Sequence, residues 1–352
     1  MSRPAVLALA TGLLFGCADT NAPPPEPLEL LLVVNSQSNS LSIVSIDAPQ
    51  SVVSVPLGGA GATPSSVAAR EGIAVVPLGA ADQVAVVDLI TRTLVHLIQL
   101  PVGSGATGAA MVSDSVAYVA NPGRNTVTRM NVFTRETAEI AVGVFPQGFV
   151  VARGRLFVLN GNLDETGEPV GPSWLTVINP ATNTLAPGID SIPLTGPGNA
   201  AFATVAGDGF LYVVNRGRTM PAEGRLSVVD PLERREMASF AGLGLRPGEV
   251  ASDGASRVLV ASLTEGLLEF DTDSNAVVRG EGEGIAIPTN TGVAVDSRRR
   301  VYAIEAGGCA PGRRGSAHVL DEELREVGRI PLERCSAGAT VVRIRQEAGQ
   351  IF

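Results

Sequence analysis

The sequence predicts an all-β chain assembled from one repeated four-stranded unit. In the stretch "AYVANPGRNTVTRMNV" (residues 117–132) an apolar run, a turn and an alternating run follow one another, which is typical of two strands joined by a tight loop. Variants of this phrase recur at residues 31–47, 156–180 and 211–231. The 40 glycines and 24 prolines lie between short apolar runs, and 45% of the 352 residues are hydrophobic, so we expect many tight turns around a sizeable core.

The repeat has a measurable period. Four strand-sized pieces, named strands A to D, fit into one period, and strand B of each unit ends at a recognisable mark. The marks recur about every 40 to 55 residues, a period that is typical of four-stranded β-propeller blades. They are Asn35, Pro77, Asn121, Asn160, Asn215, Ser262 and Glu305. Seven marks predict seven blades.

The two ends of the repeat array complement each other. The first predicted strand, near residues 30–34, matches strand B, and no strand A precedes it. One further A-like piece, residues 337–345, remains after the last strand D. Pairing this piece with the first blade would close the ring and remove the exposed sheet edges. We therefore expect a seven-bladed β-propeller over residues 29–352, closed by the C-terminal strand.

The strand motifs resemble a known family. "AYVAN", "LFVLN" and "LYVVN" end strand B, and "VAVVD", "LTVIN" and "LSVVD" form strand C. These motifs resemble the blades of the YVTN-repeat β-propeller family, in its bacterial lipoprotein form. Blades six and seven carry "VLVAS" and "VYAIE" without the asparagine, so their assignment depends on spacing alone.

The N-terminus predicts export and lipid anchoring. Arg3 and an apolar run over residues 5–15 precede Leu14-Phe15-Gly16-Cys17, which resembles a bacterial lipobox. We expect residues 1–16 to be a signal peptide, Cys17 to be lipidated, and residues 17–28 to form a proline-rich tether. An ordinary secretory signal is the alternative, since Phe15 departs from the usual lipobox residue. Ala18, rather than Asp, favours the outer membrane under the lipoprotein sorting rule that this segment resembles.

The remaining two cysteines predict a disulfide. Cys309 lies between strands B and C of blade seven, and Cys335 lies just before the closing strand A. B-to-C and D-to-A connections emerge on the same face of a blade, so the two cysteines can meet, and an exported chain favours their oxidation. Closing a loop of 26 residues contributes about 3.5 kcal/mol in the chain-entropy model. Two free buried thiols are the alternative.

Charge and composition exclude several function classes. The formal net charge of −9 opposes nucleic-acid binding, which needs a basic surface. All 26 basic residues are arginines, which excludes lysine-based covalent catalysis. The two histidines, His96 and His318, fall on strands D and C, away from the predicted channel and from any Ser or Cys nucleophile. No catalytic residue and no cofactor is assigned.

Long connections point to one face of the ring. The B-to-C connections of blades four, five and seven span residues 160–174, 215–225 and 305–316. Insertions on one side of a repeat array usually mark its binding side. We expect this face to bind a protein or a small polar ligand, with the membrane contacted through the lipid anchor only. Neutral variation of exposed loops is the alternative.

The channel mouth on that face should be lined by the first residues of the A strands. An alignment of these strands places one residue of each blade at a single level: Ser66, Gly108, Gly148, Asn199, Glu249, Gly292 and Gly338. With their flanking residues, the candidates for ligand binding are Ser66, Thr107, Gln147, Asn199, Glu249 and Asn290.

Two functions remain open at this mouth. A divalent cation could bind Glu249 and Asn199, which weakly resemble the metal ligands of gluconolactonase-type propellers and suggest a metal-assisted lactonase or related hydrolase. The main expectation is an envelope-anchored binding or interaction module without catalytic machinery. The other motifs of the gluconolactonase-type propellers are absent, and a shared fold does not by itself imply a shared reaction.

Overall fold

The computed structural model describes residues 26–59 and 61–345, and these residues form seven antiparallel sheets arranged in a ring. This confirms the predicted seven-bladed β-propeller. Each blade contains strands A to D in that order from the channel outward, as the sequence period predicts. No helix of this part of the chain is both long enough and apolar enough to span a bilayer.

The blades of the first half follow one another along the chain. Blade one holds β1 (Leu28–Asn35), β2 (Ser40–Ser45) and β3 (Val52–Pro56). Blade two holds β4 (Ala68–Arg70), β5 (Ile73–Leu78), β6 (Gln83–Asp88) and β7 (Thr93–Gln99). Blade three holds β8 (Ala109–Met111), β9 (Val116–Asn121), β10 (Thr126–Asn131) and β11 (Thr137–Ala141). Short 3₁₀ helices at Gly79–Ala81 and Pro122–Arg124 link strands B and C of blades two and three.

The later blades keep the same order. Blade four holds β12 (Pro146–Ala152), β13 (Arg155–Asn160), β14 (Trp174–Asn179), β15 (Thr184–Leu185) and β16 (Ser191–Pro193), where β15 and β16 both pair with β14 as a divided outer strand. Blade five holds β17 (Ala200–Val205), β18 (Leu211–Asn215), β19 (Arg225–Asp230) and β20 (Arg235–Ala241). Blade six holds β21 (Val250–Ser252), β22 (Arg257–Ser262), β23 (Gly266–Asp271) and β24 (Ala276–Arg279). Blade seven holds β25 (Asn290–Val295), β26 (Val301–Glu305), β27 (Ser316–Leu320) and β28 (Glu326–Pro331).

The core lies between neighbouring blades, which explains why strand B is a continuous apolar run. Successive side chains of a strand point to opposite faces of its sheet. In β1, Leu30 and Leu32 pack against blade two, whereas Leu31 and Val33 pack against blade seven. All four side chains are fully buried. Both faces of a B strand are therefore covered, and the strand carries no polar alternation.

Closure of the ring depends on β29 (Ser336–Ile344), the last strand of the described chain. It pairs antiparallel with β1 from Leu28 opposite Ile344 to Asn35 opposite Ser336 and becomes strand A of blade one. The buried Glu29 carboxylate on β1 contacts Arg343 Nε of β29 at 3.1 Å and accepts a hydrogen bond from Ser297 Oγ of blade seven at 2.8 Å. The predicted closure is thus confirmed.

The predicted disulfide is also confirmed. Cys309 and Cys335 are bonded, with their Cα atoms 4.3 Å apart. Cys309 belongs to the B-to-C connection of blade seven, and Cys335 directly precedes β29. The bond therefore ties the closing strand to the blade beside it.

The asparagine that ends strand B holds the blade together. Asn121 is fully buried, and its Nδ2 donates hydrogen bonds to the hydroxyls of Thr126 (3.0 Å) and Thr128 (2.8 Å) on strand C. Equivalent bonds join Asn35 to Ser40 and Ser42, Asn160 to Thr176, and Asn215 to Ser227. The asparagine that recurs at the end of strand B is therefore a structural clamp between strands B and C.

Blades two, six and seven lack this asparagine, and strand B of blade six ends in the buried Ser262. In blade two the structural equivalent is the buried Leu78, which pairs with Gln83, so the sequence mark at Pro77 lies one residue early. In blade seven Glu305 accepts a hydrogen bond from Ser316 Oγ (2.9 Å) and contacts Nε2 of the buried His318 (3.1 Å). His318 therefore belongs to a clamp on strand C, away from the channel.

We expect deletion of residues 336–352 to abolish the cooperative unfolding transition or to cause aggregation. Without β29, β1 becomes an exposed edge with unpaired backbone groups, and Glu29 loses its arginine partner. Thermal denaturation followed by circular dichroism measures the effect. Deletion of residues 346–352 alone leaves β29 intact and is the control. A truncated protein that melts as the parent does would contradict the role assigned to β29.

Candidate functional site

The long B-to-C connections and the starts of the A strands lie on one face of the ring, here called the loop face. The register shows this directly, because the first residue of strand A pairs with the last residue of strand B: Pro146 with Asn160, Ala200 with Asn215, and Asn290 with Glu305. The mouth of the central channel therefore opens among the insertions. The channel encloses about 600 Å³.

Two of the insertions contact each other above the mouth. Glu168 of the blade-four insertion accepts hydrogen bonds from the backbone N–H (3.2 Å) and from the hydroxyl of Thr219 in the blade-five insertion. Arg246, between blades five and six, donates to the same Thr219 hydroxyl at 3.1 Å. These connections form a continuous polar rim over blades four to six.

Glycines line much of the channel level because the inner strands converge there. A Cβ atom on Gly108 would overlap the carbonyl oxygen of Gln147. A Cβ atom on Gly292 would lie 2.7 Å from Glu249 Oε2, so the absence of a side chain makes room for that carboxyl group. Few side chains can enter the channel, so the few that do determine the chemistry of its lining.

Glu249 reaches across the channel instead of pointing into bulk water. Its Oε2 accepts hydrogen bonds from the backbone N–H groups of Ala339 (2.8 Å) and Val293 (3.3 Å), on the inner strands of blades one and seven. The side chain keeps partial contact with solvent in the channel. Desolvation raises the pKa of Glu249 to about 8, against the lowering effect of the two backbone hydrogen bonds. The carboxyl group is therefore mostly protonated at pH 7.

Blade five differs from the predicted alignment. Gly148 lies opposite Leu159, and the equivalent pair in blade five is Phe202 opposite Val214, so Phe202 rather than Asn199 lies at the channel level. Asn199 is buried behind the wall. Its Oδ1 accepts a hydrogen bond from Gln147 Nε2 at 2.9 Å, and its Nδ2 donates to Gly217 O at 3.3 Å.

The other candidates divide between the channel and its wall. Ser66, Thr107 and Gln147 line the channel with Glu249. They form a polar arc, in which Ser66 Oγ donates to Thr107 O (2.7 Å) and Thr107 Oγ1 donates to Gln147 O (3.1 Å). Asn290 is buried in the wall, where Nδ2 donates to Gly266 O at 2.9 Å. Cys17, the predicted lipidation site, lies outside the described residues.

The structure does not bring the two candidate metal ligands together. Glu249 projects into the channel, whereas the Asn199 side-chain oxygen is bonded to Gln147 in the wall. Within residues 26–59 and 61–345, no three or more His, Cys, Asp and Glu side chains are grouped so that they could hold a metal ion.

Arg216 is the channel residue that the sequence reasoning missed. It directly follows Asn215 at the end of β18, and its backbone N–H donates to Asn199 O at 2.9 Å. Its Nε donates to Pro247 O at 3.1 Å, and its Cζ lies 5.9 Å from the centroid of the Phe202 ring. Burial, and then the charge of Arg246, lower the pKa of Arg216 to about 10, so the guanidinium remains charged at neutral pH. Its position directly after strand B indicated the loop face, but not that the side chain turns toward the channel.

Comparison with known proteins supports the fold but does not show a function. No family model matches the chain, and no curated protein matches it. Among solved structures, it is similar to hydrazine synthase of Kuenenia stuttgartiensis (TM-score 0.61, 14% identity, 80% of this chain and 95% of that one). It is also similar to a streptogramin B lyase (TM-score 0.62, 11% identity, 80% and 91%) and to a functionally unknown protein from Desulfotomaculum acetoxidans (TM-score 0.66, 15% identity, 90% and 99%). At these identities the likeness shows the β-propeller fold alone.

We expect Glu249→Gln to stabilise the protein increasingly as the pH rises from 5 to 9. A carboxyl group whose pKa is raised on folding contributes stability that is present below its unfolded pKa and is lost as the pH rises through the folded value. The neutral amide lacks this loss. Because the folded pKa of about 8 lies about 3 pH units above the start of this range, the stability difference between variant and wild type should change by up to about 4 kcal/mol from pH 5 to pH 9.

Chemical denaturation across this pH range measures the difference between wild type and variant. Glu136→Gln, exposed on the opposite face, is the control and should show no such trend. A difference that does not vary with pH would show that the Glu249 carboxyl is not desolvated.

Proposed function

We propose that this protein is a binding module that takes up its ligand at the channel mouth on the loop face. One observation carries the proposal: Arg216, the charged side chain that lines the channel, opens onto the same face as the long insertions. A scaffold that needed only stability would have no use for an unpaired cation on its crowded axis.

The dimensions and chemistry of the channel support small-molecule binding. A volume of about 600 Å³ lies within the usual range for ligand sites. Alanines, valines and two phenylalanines, Phe149 and Phe202, form most of the wall, and a small set of polar groups stands at the mouth. Polar atoms supply slightly more than half of the surface exposed in the channel, so the site offers a ligand both apolar contacts and hydrogen-bond partners. The rim of insertions above it would add contacts to the outer part of a ligand or to a protein that presents it.

The hydrolase alternative receives less support. A lactonase centre of the gluconolactonase type would need several oxygen ligands on one cation, and Glu249 is the one carboxylate among the channel-lining residues. The second candidate, Asn199, lies in the wall with its oxygen bonded to Gln147. We therefore propose binding without assigning a reaction.

The cellular setting is also part of the proposal. We propose that the chain is a lipoprotein form of the YVTN-repeat family, exported and held through Cys17 in the cell envelope, at the outer membrane. The strand motifs "LYVVN" and "LSVVD" support the family, and the lipobox-like segment before Cys17 supports the anchor. The buried Asn clamps give a physical reason for the repeated asparagine.

A thermal-shift screen of small metabolites and divalent cations tests the binding function. A ligand of the folded state raises the melting temperature through linkage. We expect such shifts to disappear in Ser66→Trp, which fills the mouth. They should decrease when residues 163–171 or 218–223 are each replaced by two glycines.

An insertion of two glycines in the turn at residues 231–234, on the opposite face of blade five, is the control and should leave the shifts unchanged. The melting temperature of each unliganded variant reports its folding. Shifts that survive Ser66→Trp would place binding elsewhere and contradict the proposal.

Replacing Cys17 by Ser should release the protein from the membrane fraction. Lipid attachment needs the thiol, and stable anchoring needs acyl chains or a spanning segment. Fractionation and intact-mass analysis of wild type and Cys17→Ser measure the change. A Cys17→Ser protein that still partitions with membranes and carries acyl mass would contradict the anchor, and a wild type without acyl mass would favour an ordinary secretory signal.

A further inference from the structure

Arg216 is a partly desolvated cation without an acidic partner among the described residues. Its only side-chain hydrogen bond to protein in this part of the chain joins Nε to the Pro247 carbonyl. Burial and the like charge of Arg246 lower the pKa of Arg216, and no carboxylate acts to raise it. A buried cation without a counter-charge is costly, and such groups are usually paired.

The position of this cation is held by the fold. The backbone N–H of Arg216 is bonded to Asn199 O, and the next N–H, of Gly217, is bonded to Gly198 O at 3.2 Å. The guanidinium lies over Phe202 and faces the channel. Its terminal Nη groups can therefore donate in the planar, two-pronged geometry that suits a carboxylate.

We propose that the channel mouth binds a small organic anion, whose carboxylate pairs with Arg216 and whose body lies against Phe202 in the channel. This inference rests on the proposed function and names the ligand class. The cavity of about 600 Å³ has room for an organic body, and Phe149 and Phe202 in its wall give that body apolar contacts. Ser66 and Thr107, which precede the inner strands of blades two and three, offer polar partners to the far end of such a ligand, whereas Gln147 lies beside blade five, where its Nε2 donates to Asn199 Oδ1.

The surrounding charges are compatible with an anion. Glu249 is mostly protonated at neutral pH, so it does not oppose a second negative charge. The nearby acids of the rim are occupied, with Glu168 bonded to Thr219 and Glu223 paired with Arg218 at 3.3 Å. Arg246 adds positive potential. The net charge of −9 acts at longer range, where salt screens it beyond about 8 Å.

Three compounds of the same shape separate the effect of ligand charge on binding from the effect of ligand size. Benzoate, benzamide and benzamidine carry a negative, zero and positive charge on one aromatic scaffold, and succinate and inorganic phosphate extend the anion series. Binding to the full chain is measured by isothermal titration and thermal shift at constant ionic strength. We expect the carboxylates to bind and benzamidine not to bind.

The matched variants are Arg216→Gln and Arg235→Gln. Arg235 is exposed on the opposite face of the same blade. We expect Arg216→Gln to weaken carboxylate binding about tenfold or more, since it removes a charge-assisted pair. Arg216→Lys should recover part of it, and Arg235→Gln should match wild type. Because Arg216 is desolvated, Arg216→Gln should melt no lower than wild type without ligand, which separates lost binding from lost folding.

Several results would overturn the inference. Carboxylates that fail to bind wild type, or that bind Arg216→Gln equally well, would exclude Arg216 as the anchor. A neutral or cationic compound that binds and is lost in Ser66→Trp would overturn the anion while leaving the binding function intact. If no compound of any charge is sensitive to Ser66→Trp, the proposed function fails as well. Binding of phosphate alone, without any carboxylate, would also contradict the proposed ligand class.

Discussion

The pairing of β29 with β1 is the constraint on which the rest of the structure depends. It converts a row of blades into a ring, and the ring forces the inner strands to converge. Convergence leaves little space for side chains, which is why Gly108 and Gly292 lie where a Cβ atom would collide with a neighbour. The few larger groups that remain on the axis therefore dominate its chemistry. The contact between Glu29 and Arg343 lies within the same junction, and the Ser297–Glu29 hydrogen bond and the Cys309–Cys335 bond tie the junction to blade seven.

The mouth contains two ionisable groups that respond to desolvation in different ways. Glu249 can accept a proton and bond to the backbone of two neighbouring strands, so the protein itself satisfies it. Arg216 cannot lose its proton at physiological pH, and the described chain supplies it with a carbonyl and an aromatic face but no negative charge. The structure alone thus accounts for Glu249, whereas it leaves Arg216 without a counter-charge, which the proposed ligand would supply. This difference is the physical basis for assigning the site to binding.

Much of the fold was predictable, since it depends on local patterns. Strand length, turn residues and a regular period predicted seven blades, and the unmatched strands at the two ends predicted closure. The disulfide followed from the faces on which its two connections emerge. The site was less predictable because it depends on register. The sequence alignment matched Asn199 with Gly148, but the pairing with strand B matches Phe202 with Gly148, because residues 197–199 precede the inner strand of blade five instead of beginning it. Arg216 was missed because the direction of a loop side chain depends on neighbouring loops, here those of Asn199 and Pro247.

The most direct test of the central claim is the location of an anion in the channel. A crystal structure of the protein with 4-bromobenzoate bound would place the bromine by its anomalous signal and show the carboxylate independently. The account predicts a carboxylate within hydrogen-bond distance of the Arg216 Nη atoms, with the ring beside Phe202 and Glu249 still bonded to Ala339 and Val293. Bromine signal only outside the channel would contradict it. So would a structure in which Glu249 turns to pair with Arg216, because the cation would then need no ligand.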